Sequence, residues 1–157
     1  MDTSALGKKA ESKIKQWLDR PIDGYSLDRL YDPMGGFYGI CNPCDFICYR
    51  FSKIYYLESK ATFNTRFDFS MIRPNQMDGL LKKSRIPGCH GWFIVLFASH
   101  KRAFKFNATD IKELWDSGVK SLNITKIAEW KIPYKELQTI PSRKELLDYN
   151  GEIEDLI

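Results

Sequence analysis

The chain has no low-complexity tract, no internal repeat and no Ser/Gly-rich linker, which excludes a repeat array or a string of modules on flexible tethers. It also has no long apolar run. The longest, Trp92 to Ala98, is far short of the ~20 residues that a membrane-spanning helix needs. No apolar stretch follows the polar, lysine-bearing N-terminus, so no signal peptide is expected and a soluble, cytoplasmic protein is. Cysteine is sparse, with four residues, Cys41, Cys44, Cys48 and Cys89. In the cytoplasm these are expected to be free thiols. A zinc set of Cys41, Cys44, Cys89 and His90 is the alternative, although its spacing is unusual.

What is present is enough for one domain spanning residues 1–157, long enough to bury a core without staples. The net charge of +4 permits a nucleic-acid partner without requiring one. Apolar residues at helical spacing (Ala10, Ile14, Trp17, Leu18) predict a helix over Ser4 to Leu18, closed by Pro21. Tyr25 to Leu30 is a candidate strand, and Asp32 to Gly36 is rich in chain breakers. Asp45 to Tyr49 and Ile54 to Lys60 read as two strands of a hairpin turning through Arg50 to Lys53. A linking loop over Ala61 to Ser70 is expected, then a helix over Pro74 to Lys83.

Gly91 to Ala98 reads as a strand buried on both faces, and Arg102 to Asn107 as a half-buried one. Short helices are expected at Thr109 to Trp115 and Leu122 to Trp130, with little pattern beyond Pro133. The order predicts an α/β fold, a mixed β-sheet flanked by helices.

Chemistry concentrates in Asn42-Pro43-Cys44-Asp45 and Tyr56-Leu57-Glu58-Ser59-Lys60. Side chains alternate along a strand, so Glu58 and Lys60 share a face, and Asp45 on the neighbouring strand can join them. Two carboxylates are hard oxygen ligands suited to magnesium, and the Ser59 carbonyl between Glu58 and Lys60 can add a third. Lys60 can orient a water or steady negative charge in a transition state. Taken alone, these letters fit a surface ion pair better, because E-x-K and P-x-D are both common. Their order within the rest of the chain decides between the two.

Gly7 and Glu11 are spaced G-x-x-x-E on the first helix. Asp45 precedes Glu58-Ser59-Lys60-Ala61-Thr62, which is followed by Phe67, Asn75-Gln76, Gly91-Trp92-Phe93-Ile94-Val95 and Lys120-Ser121-Leu122. From Gly7 to Tyr134 this ordered set resembles the RecU family of Holliday junction resolvases, whose core is the PD-(D/E)XK, restriction-endonuclease-like nuclease fold. The resemblance implies that Asp45 and Glu58 are metal ligands, and that Lys60 is the catalytic lysine. It implies that Gln76 supports the site from the next helix and that Glu11 is an acid near the metal.

The implied cofactor is Mg2+, with Mn2+ able to substitute. The implied partner is branched double-stranded DNA, a four-way junction, met by a homodimer whose interface can use Phe37, Tyr38 or Trp115. Lys8, Lys9, Arg66, Arg73 and Thr62 are the expected DNA contacts. No helix-turn-helix, zinc-finger or RNP motif is present, so structure-selective binding is expected. A nuclease of the same core acting on other DNA, or a non-catalytic DNA-binding module, are the competing readings.

The chain departs from the family in several places. Pro43-Cys44 replaces hydroxylated residues before the aspartate, Asn75 replaces a histidine, and the long basic N-terminal extension is missing. The segment that would form the family's junction-entering stalk, about residues 25–42, is short. A compact, phage-type member fits these departures.

Overall fold

The computed structural model describes residues 2–31, 42–142 and 146–155. The Asp32 to Gly36 breaker segment, Phe37, Tyr38, Cys41 and most of the expected stalk lie outside these residues.

Helix α1 (Thr3–Leu18) begins at Asp2, whose side chain accepts from the Ser4 N–H. It lays Leu6, Ala10, Ile14, Trp17 and Leu18 on one buried stripe. Strands β1 (Tyr25–Arg29), β2 (Phe46–Arg50) and β3 (Lys53–Thr62) form an antiparallel meander. The β2–β3 turn places Phe51 and Ser52 at φ 50° and 61°, a left-handed pair that non-glycine residues rarely adopt.

Strand β3 crosses through helix α2 (Pro74–Ser84) to β5 (Cys89–Phe97), which pairs with it in parallel. Strand β6 (Arg102–Asn107) returns antiparallel to β5, helix α3 (Ala108–Asp116) follows, and β8 (Lys135–Leu137) closes the sheet. The six-stranded order is β1-β2-β3-β5-β6-β8. The expected mixed sheet flanked by helices is therefore the observed fold.

Two cores lie on opposite faces of this sheet. On one, α1 packs on Phe46, Cys48, Tyr55, Leu57, Ile94 and Leu96. On the other, α2 and α3 pack with Tyr56, Phe93, Val95, Phe97, Phe104 and Phe106. Odd and even residues of β3 thus serve different cores, and Glu58 and Lys60 fall on the α2 side. Gly91 lets α2 approach closely: a Cβ there would lie 2.9 Å from the Leu80 carbonyl oxygen and 2.8 Å from the Ser84 Oγ.

Several expectations are corrected. The loop expected over Ala61 to Ser70 contains the end of β3, the strand β4 (Arg66–Asp68) and a 3-10 turn. The helix expected over Leu122 to Trp130 is a strand, β7 (Ser121–Asn123), followed by a 3-10 segment, and β7 pairs with β4. The strand Arg102 to Asn107, expected to be half-buried, is internal, with Ala103, Phe104, Lys105 and Phe106 all buried. Beyond Pro133, β8 joins the main sheet, while β9 (Thr139–Ile140) and β10 (Asp148–Tyr149) form a small antiparallel pair. Tyr149 of β10 stacks on Trp17 of α1 at 4.9 Å. Among the described residues, no helix is long and apolar enough to cross a membrane.

Candidate active site

The site begins where β2 starts and β3 runs on past it. Strand β2 pairs with β3 as far as Leu57, and the Asp45 N–H donates to the Leu57 carbonyl at 3.0 Å. Beyond that point the chain diverges, and the Asp45 side chain takes over the pairing: its carboxylate accepts from the Ser59 N–H at 2.7 Å. The N–H and C=O of one strand residue leave from the same edge, so the Ser59 carbonyl faces this edge too. The segment before Asp45 is held by α2. Pro43 lies against Gly79, where a Cβ would come within 2.5 Å of the Pro43 Cβ. Asn75 also donates to the Asn42 carbonyl at 3.5 Å.

Glu58 is buried, at 2% exposure, on the α2 face of β3. The Lys60 ammonium donates to Glu58 Oε1 and to Gln76 Oε1, each at 2.8 Å. The Gln76 amide donates to Glu58 Oε1 as well. Gln76 Oε1 further accepts from the Arg73 N–H at 3.1 Å, so this glutamine caps α2 and ties the helix to the cluster at once.

The second Glu58 oxygen, Oε2, is buried without a hydrogen-bond partner. Burial pushes the Glu58 carboxyl up to about 8, the Asp45 charge adds to this, Lys60 opposes it, and Glu11 adds slightly. An orphaned carboxylate oxygen beside a second carboxylate and a backbone carbonyl is a donor set that a hard divalent cation would satisfy. Asp45, Glu58 and Ser59 are the residues that would hold it.

Glu11 reaches this region from the opposite face. It is engaged by Arg29, whose Nη2 lies 2.9 Å from Glu11 Oε2. Arg29 was not legible as a site residue, because the pair joins β1 to α1 with no local spacing signal. Arg66 and Arg73 are exposed in the segment linking β3 to α2. Thr62 is buried, and its Oγ1 accepts from the Asn64 N–H at 3.0 Å, inside the β3–β4 turn. Lys8 and Lys9 are exposed on α1.

The structure thus gathers Asp45, Glu58, Ser59, Lys60 and Gln76, with Glu11 nearby. It sets Thr62 into a turn and leaves Lys8 and Lys9 on the surface of α1.

The thiols do not form a zinc site among the described residues. Cys89 packs with the α2-side core, whereas its neighbour His90 stacks on Tyr55 across the other face. Cys89 pairs with Ile54, while Cys44 lies two residues before Phe46, the partner of Leu57, and so at the level of Ser59; the two are separated by about 16 Å along the sheet. Burial, together with the Glu58 and Asp45 charges, pushes the Cys44 thiol up to about 12.

A parallel β3–β5 crossover through α2, with a carboxylate–lysine cluster on β3 where β2 leaves it, defines a PD-(D/E)XK-type α/β fold. The sequence profile of the RecU family (recombination protein U) matches residues 38–154, and the chain belongs to that family. The matched segment starts after α1 and β1, so Gly7 and Glu11 lie outside it, and it runs past Tyr134 to the end of the small β9–β10 pair and beyond. No curated protein matches the chain. Among solved structures, the 1.6 Å structure of Archaeoglobus fulgidus Hjc, a Holliday junction resolvase from an archaeal hyperthermophile, is similar at 14% identity. That similarity covers 66% of this chain and 78% of the other, with a TM-score of 0.46.

Proposed function

We propose that this chain is a magnesium-dependent endodeoxyribonuclease that resolves four-way DNA junctions by paired phosphodiester cleavage, working as a homodimer in the cytoplasm. The observation that carries the reading is Lys60 held between Glu58 and Gln76, at 2.8 Å from each, beside an Asp45 carboxylate fixed on the Ser59 amide. A half-buried lysine paired with a fully buried carboxylate within β3 has no packing purpose that apolar residues would not serve better. Membership of the RecU family supports a recombination role.

Asp45, Glu58 and the Ser59 carbonyl would hold Mg2+, or Mn2+ in its place, and the bound cation would polarise the phosphate and acidify a water. The chain's own residues supply the remainder. Two of the three Lys60 N–H groups are used by Glu58 and Gln76, which leaves one for the attacking water or a phosphate oxygen. Gln76 holds that ammonium in place. Arg29 balances Glu11, limiting repulsion at the two ligand carboxylates. Arg66 and Arg73, with Lys8 and Lys9, would meet the DNA backbone, whereas Thr62 is buried and its hydroxyl is engaged by Asn64. A junction has two-fold symmetry, and a symmetric dimer would supply two matched sites.

The test is cleavage of a labelled four-way junction beside linear duplex of the same sequence, with magnesium and with EDTA. Paired nicks on the junction alone, lost with EDTA and in Asp45→Asn and Lys60→Ala, are expected. Equal cutting of duplex would remove the junction selectivity. DNA binding without any cutting would overturn the enzyme reading.

A further inference from the structure

Strand β3 is ten residues long, but β2 covers only its first half, from Lys53 to Leu57. From Glu58 to Thr62 it pairs with β5 along one edge, and no strand covers the other among the described residues. This bare edge starts at the Asp45, Glu58 and Lys60 cluster and ends at Phe63. A DNA strand held at the cluster is far larger than the cluster, so it also meets what stands along the edge.

Phe63 is 39% exposed. A single exposed apolar side chain needs no explanation by itself. Three features single this one out.

The first is position. Phe63 lies three residues beyond Lys60 in the chain, about 10 Å further along the strand direction. The second is company. Asn64, Thr65 and Arg66, which follow it, are exposed as well, so a flat ring and a guanidinium share one turn. A cation for phosphate and a ring for a base face are the pair of groups that unpaired nucleic acid calls for.

The third is rigidity. The Ser99 hydroxyl donates to the Phe63 carbonyl at 2.6 Å, the Asn64 N–H donates to Thr62 Oγ1 at 3.0 Å, and the Ile124 N–H donates to the Thr65 carbonyl at 2.9 Å. The turn is thus tied to β3, to the end of β5 and to the segment after β7. A ring on a backbone already held in place loses less freedom when it stacks.

A base face is open to such a ring only where stacking is interrupted. Inside linear duplex each base pair lies between two neighbours. At a four-way junction the stack breaks where strands pass from one helix to another. The distance of about 10 Å from Lys60 to Phe63 corresponds to about three base steps of a stacked strand.

We propose that Phe63 recognises the branch point of the DNA: its ring stacks on a base exposed where the strands exchange, about three nucleotides from the phosphate at the cluster, while Arg66 meets a neighbouring phosphate. The inference rests on the nuclease reading above and adds to it a source of preference for branched DNA.

The test uses the full-length protein with calcium in place of magnesium, a hard cation suited to the same oxygen ligands. Denaturing gels of the same samples check that the strands stay whole. Affinities are measured for a four-way junction and for linear duplex of the same sequence, with 2-aminopurine beside the branch point and at the equivalent duplex position. The parent chain is expected to bind the junction more tightly and to change the 2-aminopurine fluorescence of the junction alone. Phe63→Ala should weaken junction binding roughly tenfold, leave duplex binding unchanged and abolish the fluorescence change. Phe63→Trp, which keeps a flat ring, should restore both. Phe51→Ala removes a more exposed ring from the β2–β3 turn, at the other end of β3, and should behave as the parent does.

Equal losses on junction and duplex, junction affinity unchanged in Phe63→Ala, or a fluorescence change that survives that substitution would each overturn the inference and leave the nuclease reading standing. A Phe63→Ala chain of lower oligomeric state than the parent by sedimentation would assign the ring to an interface between copies and overturn it too. A parent chain that binds neither DNA would overturn the nuclease reading and this inference together.

Discussion

The Ser59 N–H donates to the Asp45 carboxylate at 2.7 Å, replacing a ladder bond at the point where β2 and β3 part. Asp45 therefore has a structural task and a chemical one, and the two can be separated. Asparagine keeps a side-chain oxygen able to accept from Ser59 but loses the negative charge. Asp45→Asn is expected to unfold within about 1 kcal/mol of the parent, as one neutral hydrogen bond replaces one charge-assisted bond. Its cleavage rate is expected to fall by roughly three orders of magnitude. Denaturant melts and junction cleavage on the same preparations check both parts.

Gln76 gives a sharper division. It accepts from Lys60 and from the Arg73 N–H, and it donates to Glu58. Gln76→Ala removes a helix cap and leaves Lys60 with one partner, so a loss of about 1–2 kcal/mol in stability is expected. Because Gln76 positions the ammonium without reaching the substrate, kcat should fall by roughly 10–100-fold while KM stays nearly constant. A KM effect equal to the kcat effect would assign Gln76 to substrate binding instead.

Much of this arrangement was readable in the sequence, for reasons that particular residues make plain. Glu58 and Lys60 had to share a face because strands alternate, and Pro74 marked the start of α2. The apolar Gly91 to Ala98 run could only be an internal strand. Other parts were hidden because they depend on partners distant in the chain. Arg66-Phe67-Asp68 becomes a strand only by pairing with Ser121-Leu122-Asn123, and each is too short to carry its own periodicity. Lys105 disguised β6 as a half-exposed strand, although β8 and Trp92 enclose it.

The apo-protein should lose stability as pH rises. In the folded state burial pushes the Glu58 carboxyl up to about 8, with Asp45 adding to the effect. In the unfolded chain it returns to the ordinary carboxylate range. Between those values the folded protein holds a proton that the unfolded chain has released. The stabilisation is therefore complete below the unfolded value and is lost as pH rises through the folded one. With EDTA present, the Tm at about pH 8.5 should lie several degrees below that at about pH 5.5. Magnesium should reverse the slope, since coordination needs the ionised carboxylate. Glu58→Gln should flatten the dependence in EDTA, and a slope unchanged in that variant would place its origin elsewhere.

Gly79 controls the approach of the Asp45 segment to α2. A methyl group there would sit 2.5 Å from the Pro43 Cβ, a ring atom that cannot rotate away. Gly79→Ala must therefore push apart α2 and the segment leading to Asp45. A cost of about 1–3 kcal/mol is expected from overpacking. A displacement of Asp45 by about 1 Å would lower cleavage by roughly 100-fold. Pro43→Gly removes the opposing Cβ, so the double variant should recover most of the lost activity. Failure of that recovery, with the fold intact by circular dichroism, would mean that Asp45 is not positioned through this contact.

Arg66 and Arg73 stand exposed in the segment between β3 and α2, with no side-chain hydrogen bond to the Lys60 cluster among the described residues. If each meets one phosphate, removing it should weaken binding without changing which DNA is preferred. It should also lower the slope of log affinity against log salt by about 1. Arg66→Ala and Arg73→Ala are expected to behave this way on junction and duplex alike, and to act additively in the double variant. Cleavage under saturating DNA should be nearly unchanged, because neither guanidinium joins the Lys60 network. A loss confined to the junction would instead assign these arginines to recognition of its branched shape, and a salt slope unchanged in both variants would remove them from the DNA interface.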